Sequence, residues 1–184
     1  MGFFRPKNQI LGADVSGRVD SVGRGVTRFQ TGADVFGDVS ACGWGGFAEY
    51  VCVGADALAP KPTHVSFEEA AAVPLAANTA LQGLRDKGRI KSGQAVLING
   101  ASGGVGTFAV QIAKHFGADV TAVCSTRNLD GARLLGADHV IDYTKEDFTK
   151  SGKRYDLILA ANGYHPIMDY RRALNPGGRY IMAG

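Results

Sequence analysis

The sequence has few cysteines, no long apolar segment and no cluster of basic residues. Its three cysteines, Cys42, Cys52 and Cys124, are odd in number and share no C-x-x-C spacing, so neither a disulfide framework nor a structural zinc site is predicted. No apolar segment reaches the length that spans a membrane, and the start, Met1 to Pro6, does not have the pattern of a signal peptide. These absences predict a cytoplasmic protein that does not bind membranes.

The charge and the length of the chain narrow the possible classes further. The 184 residues include 20 Lys and Arg against 17 Asp and Glu, which gives a formal net charge of +3 without a basic stripe. Binding to nucleic acid is therefore not predicted. A chain of this length accommodates one ordinary domain, or one domain and part of a second. The 26 glycines indicate many turns and close approaches of the backbone.

One stretch, residues 94–114, combines a short apolar run, a turn dense in glycine and an amphipathic helix. The run Ala95 to Ile98 is continuous, which is typical of a strand buried on both faces in a parallel sheet. The turn lacks β-carbons, and so allows a ligand to approach its backbone, at Gly100, Gly103, Gly104 and Gly106. The apolar residues after it recur at the spacing of one helix face: Val105, Phe108, Ala109, Ile112, Ala113 and Phe116. Such a helix N-terminus is predicted to bind an anion such as a pyrophosphate.

Two kinds of chemistry are compatible with this turn. The spacing G-x-x-G-x-x-G between a strand and a helix is typical of a dinucleotide-binding turn. The same residues contain G-x-S-x-G around Ser102, which is the turn that carries the nucleophile of a hydrolase. A hydrolase would need a base and an acid later in the chain, and the candidates are His115, His139, His165, Asp138, Asp142 and Asp156. We favour the dinucleotide turn, because Gly106 allows the close packing of helix on strand that such a site needs.

The N-terminal third of the chain is predicted to be rich in β-structure. Short runs with several valines are separated by turns that contain glycine. This pattern predicts strands at Val15–Val22, Asp34–Phe36 and Phe47–Val53. The segment Pro60 to Pro62 is the best candidate for a linker after this lobe.

A helical segment is predicted to follow the linker. The sequence Ser-Phe-Glu-Glu that begins at Ser66 has the spacing of a capping box, so a helix should begin there. This helix should end or kink at Pro74. Asn78 or Thr79 is predicted to lie in a turn that caps a second helical stretch, through Gln82 to Lys87.

From residue 94 onward, apolar strands alternate with helical stretches. The predicted helices are near 104–116, 129–135 and 165–174. The predicted strands are Ala95–Asn99, Val120–Cys124, Val140–Tyr143, Leu157–Ala161 and Arg179–Ala183. Repeated βα units of this kind predict an α/β fold with a right-handed, doubly wound parallel sheet. The domain boundaries are accordingly predicted at 1–62 and 63–184.

The residues after the second strand of this sheet bear on the kind of dinucleotide. An NAD site usually has Asp or Glu there to bind the ribose hydroxyls, whereas an NADP site has a cation for the 2′-phosphate. This chain has Ser125, Thr126, Arg127 and Asn128, without a carboxylate. Arg127 offers a planar set of donors, and Ser125 and Thr126 add hydroxyls. NADP(H) is therefore predicted over NAD(H), the alternative being that Arg127 is an ordinary solvated residue.

A catalytic metal is not predicted. A catalytic zinc needs three ligands of the Cys, His or Glu type, but Cys42 is a lone thiol and no histidine precedes His64. Tyr50, Tyr143 and Tyr164 could each donate a hydrogen bond near a ligand, although packing is the commoner role of a tyrosine. The sequence therefore identifies no catalytic residue.

Several segments together resemble the medium-chain dehydrogenase/reductase superfamily, in particular its zinc-independent quinone oxidoreductase branch. These segments extend over nearly the whole chain and are Leu11–Val19, Val22–Phe29, Gly45–Tyr50, Ala70–Pro74 with Thr79 and Ala80, Asn99–Gly106, Leu135–Tyr143 and Pro176–Arg179. Zinc-dependent members have Gly-His-Glu where this chain has Gly12, Ala13 and Asp14, which agrees with the metal-free branch. Asn128 stands where many members have a phosphate-binding lysine.

The resemblance implies a fold, an activity and a set of site residues. It implies a partial GroES-like β lobe at 1–62 and a Rossmann-like NADP-binding domain at 63–184, incomplete at its C-terminal end. It also implies hydride transfer from NADPH to a quinone or an α,β-unsaturated carbonyl, by a metal-free homo-oligomer that is expected to be a dimer. With the residues discussed above, the expected cofactor-binding set is Asn78, Thr79, Gly100, Ala101, Ser102, Gly103, Gly104, Val105, Gly106, Ser125, Thr126, Arg127, Tyr143, Asn162 and Gly163. The alternative is a non-catalytic or truncated nucleotide-binding relative without turnover, because Ala160–Gly163 departs from the family pattern and the chain resembles about the middle half of a member.

Overall fold

A computed structural model describes residues 10–183 of the chain. Residues 1–9, which include the chain start considered above, and residue 184 lie outside the described residues. The chain forms two compact units, Met1–Leu75 and Ala76–Gly184. The domain boundary predicted between residues 62 and 63 precedes the division between these units.

The first unit contains a small antiparallel sheet. Its strands are β1 (Asp14–Arg18), β2 (Asp34–Asp38) and β3 (Leu58–Pro60), and β2 lies between the other two. Val35 in the central strand and Val39 directly after it are 7% and 0% exposed, so the interior of this small unit lies along β2. Pro60 is the last residue of β3, at a strand end where a missing N–H does not interrupt a ladder.

The strand predicted at Phe47–Val53 is wrong. Phe47 and Tyr50 are 80% and 76% exposed, and the segment has no strand assignment. The preceding residues Gly43, Trp44 and Gly45 have φ of 105°, 69° and 120°, so the chain turns sharply there instead of continuing along a sheet. The first strand is also shorter than predicted, since β1 ends at Arg18.

Two helices and a π-helical turn follow the small sheet. Helix α1 (Phe67–Ala71) begins with the predicted capping box, because the Ser66 hydroxyl accepts from the Glu69 amide at 3.1 Å and the Glu69 carboxylate accepts from the Ser66 amide at 2.9 Å. Helix α2 (Pro74–Leu81) begins at the predicted break and continues into a π-helical turn at Gln82–Lys87.

The turn predicted at Asn78 or Thr79 is wrong, because both residues lie inside α2. An asparagine in a helix interior costs only a few tenths of a kcal/mol, roughly, relative to a good helix former. No glycine or proline follows Pro74 before the end of α2, so nothing in this segment forces a break.

The second unit contains the predicted doubly wound parallel sheet. The order of its strands across the sheet is β6-β5-β4-β7-β8, and all four neighbouring pairs are parallel. The strands are β4 (Ala95–Asn99), β5 (Asp119–Cys124), β6 (His139–Asp142), β7 (Tyr155–Ala160) and β8 (Leu174–Met182). The helices between them are α3 (Gly104–His115), α4 (Leu129–Leu134) and α5 (Ile167–Arg172). The predicted α/β fold and the predicted alternation of strands and helices along the chain are confirmed.

The central strand β4 shows why its apolar run is continuous. Val96, Leu97 and Ile98 are all 0% exposed. Successive side chains of a strand point to opposite faces, and here Val96 and Ile98 pack in the cluster that contains the buried face of α3, whereas Leu97 packs with Phe148 and Tyr170. Both faces of the sheet are covered, so a polar residue in this run would be buried on either side.

The last strand begins earlier than predicted. β8 starts at Leu174 instead of Arg179, because Leu174 already pairs with Tyr155 at the start of β7. The register shifts after that pair, and the Asn175 amide donates to the Asp156 carboxylate at 2.8 Å. Gly177 and Gly178 therefore lie in an irregular part of the strand and not in a loop before it.

Candidate functional site

The carboxyl ends of four parallel strands lie level with one another in the second unit. Asn99 at the end of β4 is paired with Val123 of β5 and with Ala160 of β7, and Cys124 is paired with Asp142 at the end of β6. The segments that leave these strands therefore begin along the side of the sheet where the strands end, here called the carboxyl edge. Ligands of open α/β sheets bind outside this edge. These segments contain most of the residues predicted for cofactor binding, namely Gly100–Gly106, Ser125–Arg127, Tyr143, Asn162 and Gly163.

The glycine turn after β4 is tied to the neighbouring strand. The amides of Gly100 and Ala101 both donate to the Val123 carbonyl, at 3.2 and 3.0 Å. Gly100 has a φ of +85°, a conformation that glycine adopts without steric cost. A Cβ on Gly106 would lie 2.1 Å from the Gly100 oxygen, so the first turn of α3 packs directly on this backbone.

The N-terminus of α3 is open to solvent. Gly103 is the N-cap, no side chain caps the helix, and Ser102, Gly103 and Gly104 are exposed. A Cβ on Gly104 would meet only the Ala76 methyl, at 3.8 Å. The positive end of the helix dipole and its free amides thus face an accessible surface, which fits a pyrophosphate group.

Helix α2 approaches the same turn. Ala76 of α2 is the residue next to Gly104. Asn78, which is exposed, and Thr79, which is half-buried, follow on this helix. Their predicted part in cofactor binding stays a prediction.

The turn after β5 contacts a carboxylate at the end of β6, Asp142, that sequence reasoning did not place there. The Thr126 hydroxyl donates to the Asp142 carboxylate, and Thr144 donates to it from its amide at 3.0 Å and from its hydroxyl at 2.7 Å. The Thr126 hydrogen bond is the largest cause that lowers the pKa of Asp142, to about 2. Asp142 is 6% exposed, and it is ionised at neutral pH.

These hydrogen bonds change which hydroxyls are available to a ligand. A hydroxyl has one proton to donate, and that of Thr126 is bonded to Asp142. The Ser125 oxygen instead accepts from the Asn128 amide at 3.0 Å, so its own proton remains available. Arg127 is exposed. Ser125 and Arg127 are therefore better placed than Thr126 to donate to a phosphate.

Two half-exposed tyrosines adjoin each other at this edge. Tyr143 after β6 and Tyr164 after β7 are 50% and 54% exposed, with ring centroids 6.2 Å apart. The Tyr164 ring also lies 4.3 Å from the His165 ring, and burial raises the pKa of Tyr164. Asn162 and Gly163, which are exposed, lie on the same loop as Tyr164.

The histidines required by the hydrolase alternative are held by other partners. His139 begins β6 and pairs with Asp119 at the start of β5, 3.2 Å away, which is the opposite edge of the sheet from Ser102. His115 is the last residue of α3. His165 packs edge-on against Phe148 at 5.1 Å. Between residues 10 and 183, no assigned hydrogen bond joins Ser102 to a histidine.

Residues 10–183 contain neither a cluster of metal ligands nor a helix that could span a membrane. No group of three or more His, Cys, Asp or Glu side chains in this range could hold a metal ion. None of the helices described there combines the length and the apolar character that crossing a bilayer requires.

Comparison with known proteins gives two family matches. Residues 2–63 match the alcohol dehydrogenase GroES-like domain, and residues 104–184 match the family described as zinc-binding dehydrogenase. The chain is therefore a member of the medium-chain dehydrogenase/reductase superfamily, with a GroES-like lobe before a Rossmann-like sheet.

The relatives place the chain in a particular branch of that superfamily. It is 40% identical over 181 residues to the chloroplastic quinone-oxidoreductase homolog of Spinacia oleracea, a match that covers 94% of this chain and 55% of the relative. It is 39% identical over 166 residues to the chloroplastic NADPH-dependent alkenal/one oxidoreductase of Arabidopsis thaliana, covering 86% and 43%. The structure of the quinone oxidoreductase from Coxiella burnetii superposes with a TM-score of 0.87 at 34% identity, covering 92% and 54%. The chain is quinone oxidoreductase-like, and it spans about half the length of these relatives.

Proposed function

We propose that this chain binds NADPH as part of an oxidoreductase that transfers a hydride to a quinone or an α,β-unsaturated carbonyl. The observation that carries the proposal is the uncapped, exposed N-terminus of α3, packed on the glycine turn through Gly106 at the carboxyl edge of the sheet. A hydrolase nucleophile at Ser102 would not need that packing, whereas a dinucleotide site does.

The residues along the edge would hold successive parts of the cofactor. Gly100–Gly106 would bind the pyrophosphate through backbone amides. Ser125 and Arg127 would bind the 2′-phosphate, because one has a free hydroxyl proton and the other an exposed guanidinium. Tyr143 would contact the adenosine side, and Thr126 would act through its bond to Asp142. Asn78, Thr79, Asn162 and Gly163 would complete the site towards the nicotinamide.

In this proposal the chain promotes hydride transfer by orienting the bound dinucleotide. The cofactor supplies the hydride, and the chain contributes by holding the dinucleotide in one conformation at the sheet edge. The names of the quinone and alkenal oxidoreductase relatives support a small electrophilic substrate. We assign no catalytic acid. Three expectations remain predictions: that no metal takes part, that the protein is a dimer and that it is cytoplasmic. Both relatives named above are described as chloroplastic, so they do not support the last of these for this chain.

A second candidate is a relative that binds the nucleotide without turnover. Ala160 at the end of β7 and Ala161 and Asn162 in the loop after it depart from the family pattern, and this loop lies at the predicted nicotinamide end. Cofactor binding with no reduction of any quinone or enone in a panel would favour this candidate. Steady reduction of one member of the panel would exclude it.

The test is a pair of fluorescence titrations with NADPH and NADH, accompanied by a mass measurement in solution. We expect tighter binding of NADPH, and Arg127→Gln should weaken it by about tenfold to hundredfold, since a hydrogen bond to a charged group contributes roughly 1.5–3 kcal/mol. NADH binding should change by less than about twofold, because the variant removes only a 2′-phosphate contact.

The control is Arg154→Gln, which removes an exposed arginine just before β7 at the opposite edge of the sheet. It should leave both affinities unchanged. If NADH binds as tightly as NADPH to the unmodified protein, the NADP assignment fails. If neither dinucleotide binds, the proposed site itself is wrong.

A further inference from the structure

The last residue of β4 is a buried asparagine that joins two loops of the candidate site. Asn99 is 1% exposed, and its side-chain nitrogen donates to the Asn162 carbonyl at 3.0 Å and to the Tyr170 hydroxyl at 2.9 Å. A backbone carbonyl can only accept. The amide group of Asn99 must therefore turn its nitrogen towards Asn162, which fixes its orientation.

The main chain of Asn99 holds the same loop. Its carbonyl accepts from the amides of Ala161 and Asn162, at 2.9 and 3.3 Å. The next residue is the first glycine of the turn, and a Cβ on Gly100 would lie only 2.9 Å from the Asn162 Cβ. One residue thus connects the glycine turn with the loop after β7 through both its backbone and its side chain.

The acceptor Tyr170 cannot easily move. It lies on α5, is 1% exposed, and its ring centroid lies 4.6 Å from that of Tyr180, 5.8 Å from that of His165 and 5.9 Å from that of Phe148. A hydroxyl on a ring packed on three sides is a fixed partner for the second proton of Asn99. The three elements β4, the loop after β7 and α5 are therefore linked at one point.

Burial of apolar surface does not explain why a polar residue stands at this position. The preceding residues Val96 to Ile98 are apolar and fully buried, and burying an amide is unfavourable unless both of its protons are bonded. Asn99 meets that condition through partners 63 and 71 residues away. A buried amide with both protons bonded in this way specifies one arrangement of the elements that it joins.

We propose that Asn99 and Tyr170 are positioning residues that hold the loop Ala161–Gly163 at a fixed separation from the glycine turn, so that the two ends of the dinucleotide are bound by one rigid unit. The inference rests on the proposed function, and it adds two residues outside the expected cofactor-binding set. Neither residue needs to touch the cofactor.

The test compares two ligands on one conservative variant. Tyr170→Phe removes a hydroxyl and keeps the packed ring. Adenosine 2′,5′-bisphosphate lacks the nicotinamide half, so it reports the adenosine side only. We expect NADPH to bind about three- to tenfold more weakly, as the loss of one buried hydrogen bond implies, and the bisphosphate to bind within about twofold of the unmodified protein.

A matched control is available in the same apolar cluster. Tyr155 is 3% exposed and packs with Tyr170 in this cluster, but it begins β7 at the opposite edge of the sheet. Tyr155→Phe should therefore leave the ratio of the two affinities unchanged. A second measurement, amide hydrogen exchange at Ala161 and Asn162, should become faster in Tyr170→Phe and not in Tyr155→Phe.

The outcomes separate the inference from the proposed function. Equal weakening of both ligands by Tyr170→Phe, or no weakening of either, would overturn the positioning role. An unmodified protein that binds neither ligand would instead refute the proposed function. The variant Asn99→Ala should reproduce the selective loss, and combining it with Tyr170→Phe should add little, because both remove the same contact.

Discussion

Replacement of Gly106 by alanine tests whether the first turn of α3 must rest on the backbone of the glycine turn. The new Cβ would lie 2.1 Å from the Gly100 oxygen, 2.7 Å from the Ala101 Cα and 2.8 Å from the Ala101 carbonyl carbon. All three atoms are backbone, so no flexible side chain can move aside. Either the turn or the helix must shift.

The expected size of the effect follows from two opposing terms. Overpacking costs about 3 kcal/mol at the severe end of the usual range, and alanine gains about 1 kcal/mol over glycine within a helix. The free energy of unfolding should therefore fall by about 2 kcal/mol. With a denaturant slope of roughly 2 kcal/mol per molar urea, the midpoint should move down by about 1 M, and NADPH affinity should fall by about tenfold or more because the amides are displaced.

A second helical glycine provides the control. Gly131 in α4 is exposed and has no atom within 4 Å of an added Cβ. Gly131→Ala should raise the unfolding free energy by about 0.5–1 kcal/mol through helix propensity alone. Urea denaturation followed by circular dichroism measures both variants. A Gly106→Ala protein as stable as the Gly131→Ala protein would refute the reasoning.

Two more predictions concern hydrogen bonds of single side chains. Thr126→Val removes the main donor to Asp142, so its pKa should rise from about 2 towards the ordinary value, as carbon-detected NMR titration of the carboxyl would show. Because the pKa of Asp142 is lowered in the folded state, its carboxylate stabilises the fold above about pH 4, and that contribution is lost as the pH falls through about 2. Thr126→Val should therefore lose less stability than the unmodified protein between about pH 4 and pH 2. An unchanged Asp142 pKa in the variant would contradict the assignment. Ser66→Ala breaks the capping box of α1 and should lower the unfolding free energy by about 1 kcal/mol, whereas Ser66→Asp should retain most of it; equal losses in a urea titration would count against the cap.

The sequence predicted those parts of the fold that depend on local pattern. The continuous apolar run of β4, the alternation of strands and helices after it and the capping box at Ser66 are all signals within a few residues. The strand at Phe47–Val53 failed because an apolar run forms a strand only where a partner strand is available. The turn at Asn78 failed because a weak helix former does not end a helix.

The candidate site was predictable only in part for a similar reason. The glycine turn and the segment after β5 can be read directly, and sheet topology then brings them to one edge. The bond of Thr126 to Asp142 depends on the pairing of Cys124 with Asp142 across β5 and β6, and a parallel register cannot be read from either strand alone. The contact between Asn99 and Tyr170 joins residues 71 positions apart, and no local pattern indicates it.

The position of β4 at the centre of the sheet also bears on the order in which the site can assemble. Ala95 pairs with Asp119, 24 residues further on, whereas Val96 pairs with Leu157, 61 residues further on. Closing the longer loop costs about 0.8 kcal/mol more chain entropy, and the bonds from Asn99 to the loop after β7 are possible only once β7 has paired. A ribosome that has released residues only as far as β5 has therefore exposed a glycine turn with its β5 partner but without the loop that borders it. If the proposed function holds, both ends of the dinucleotide can be bound only after β7, from Tyr155 to Ala160, has joined the sheet.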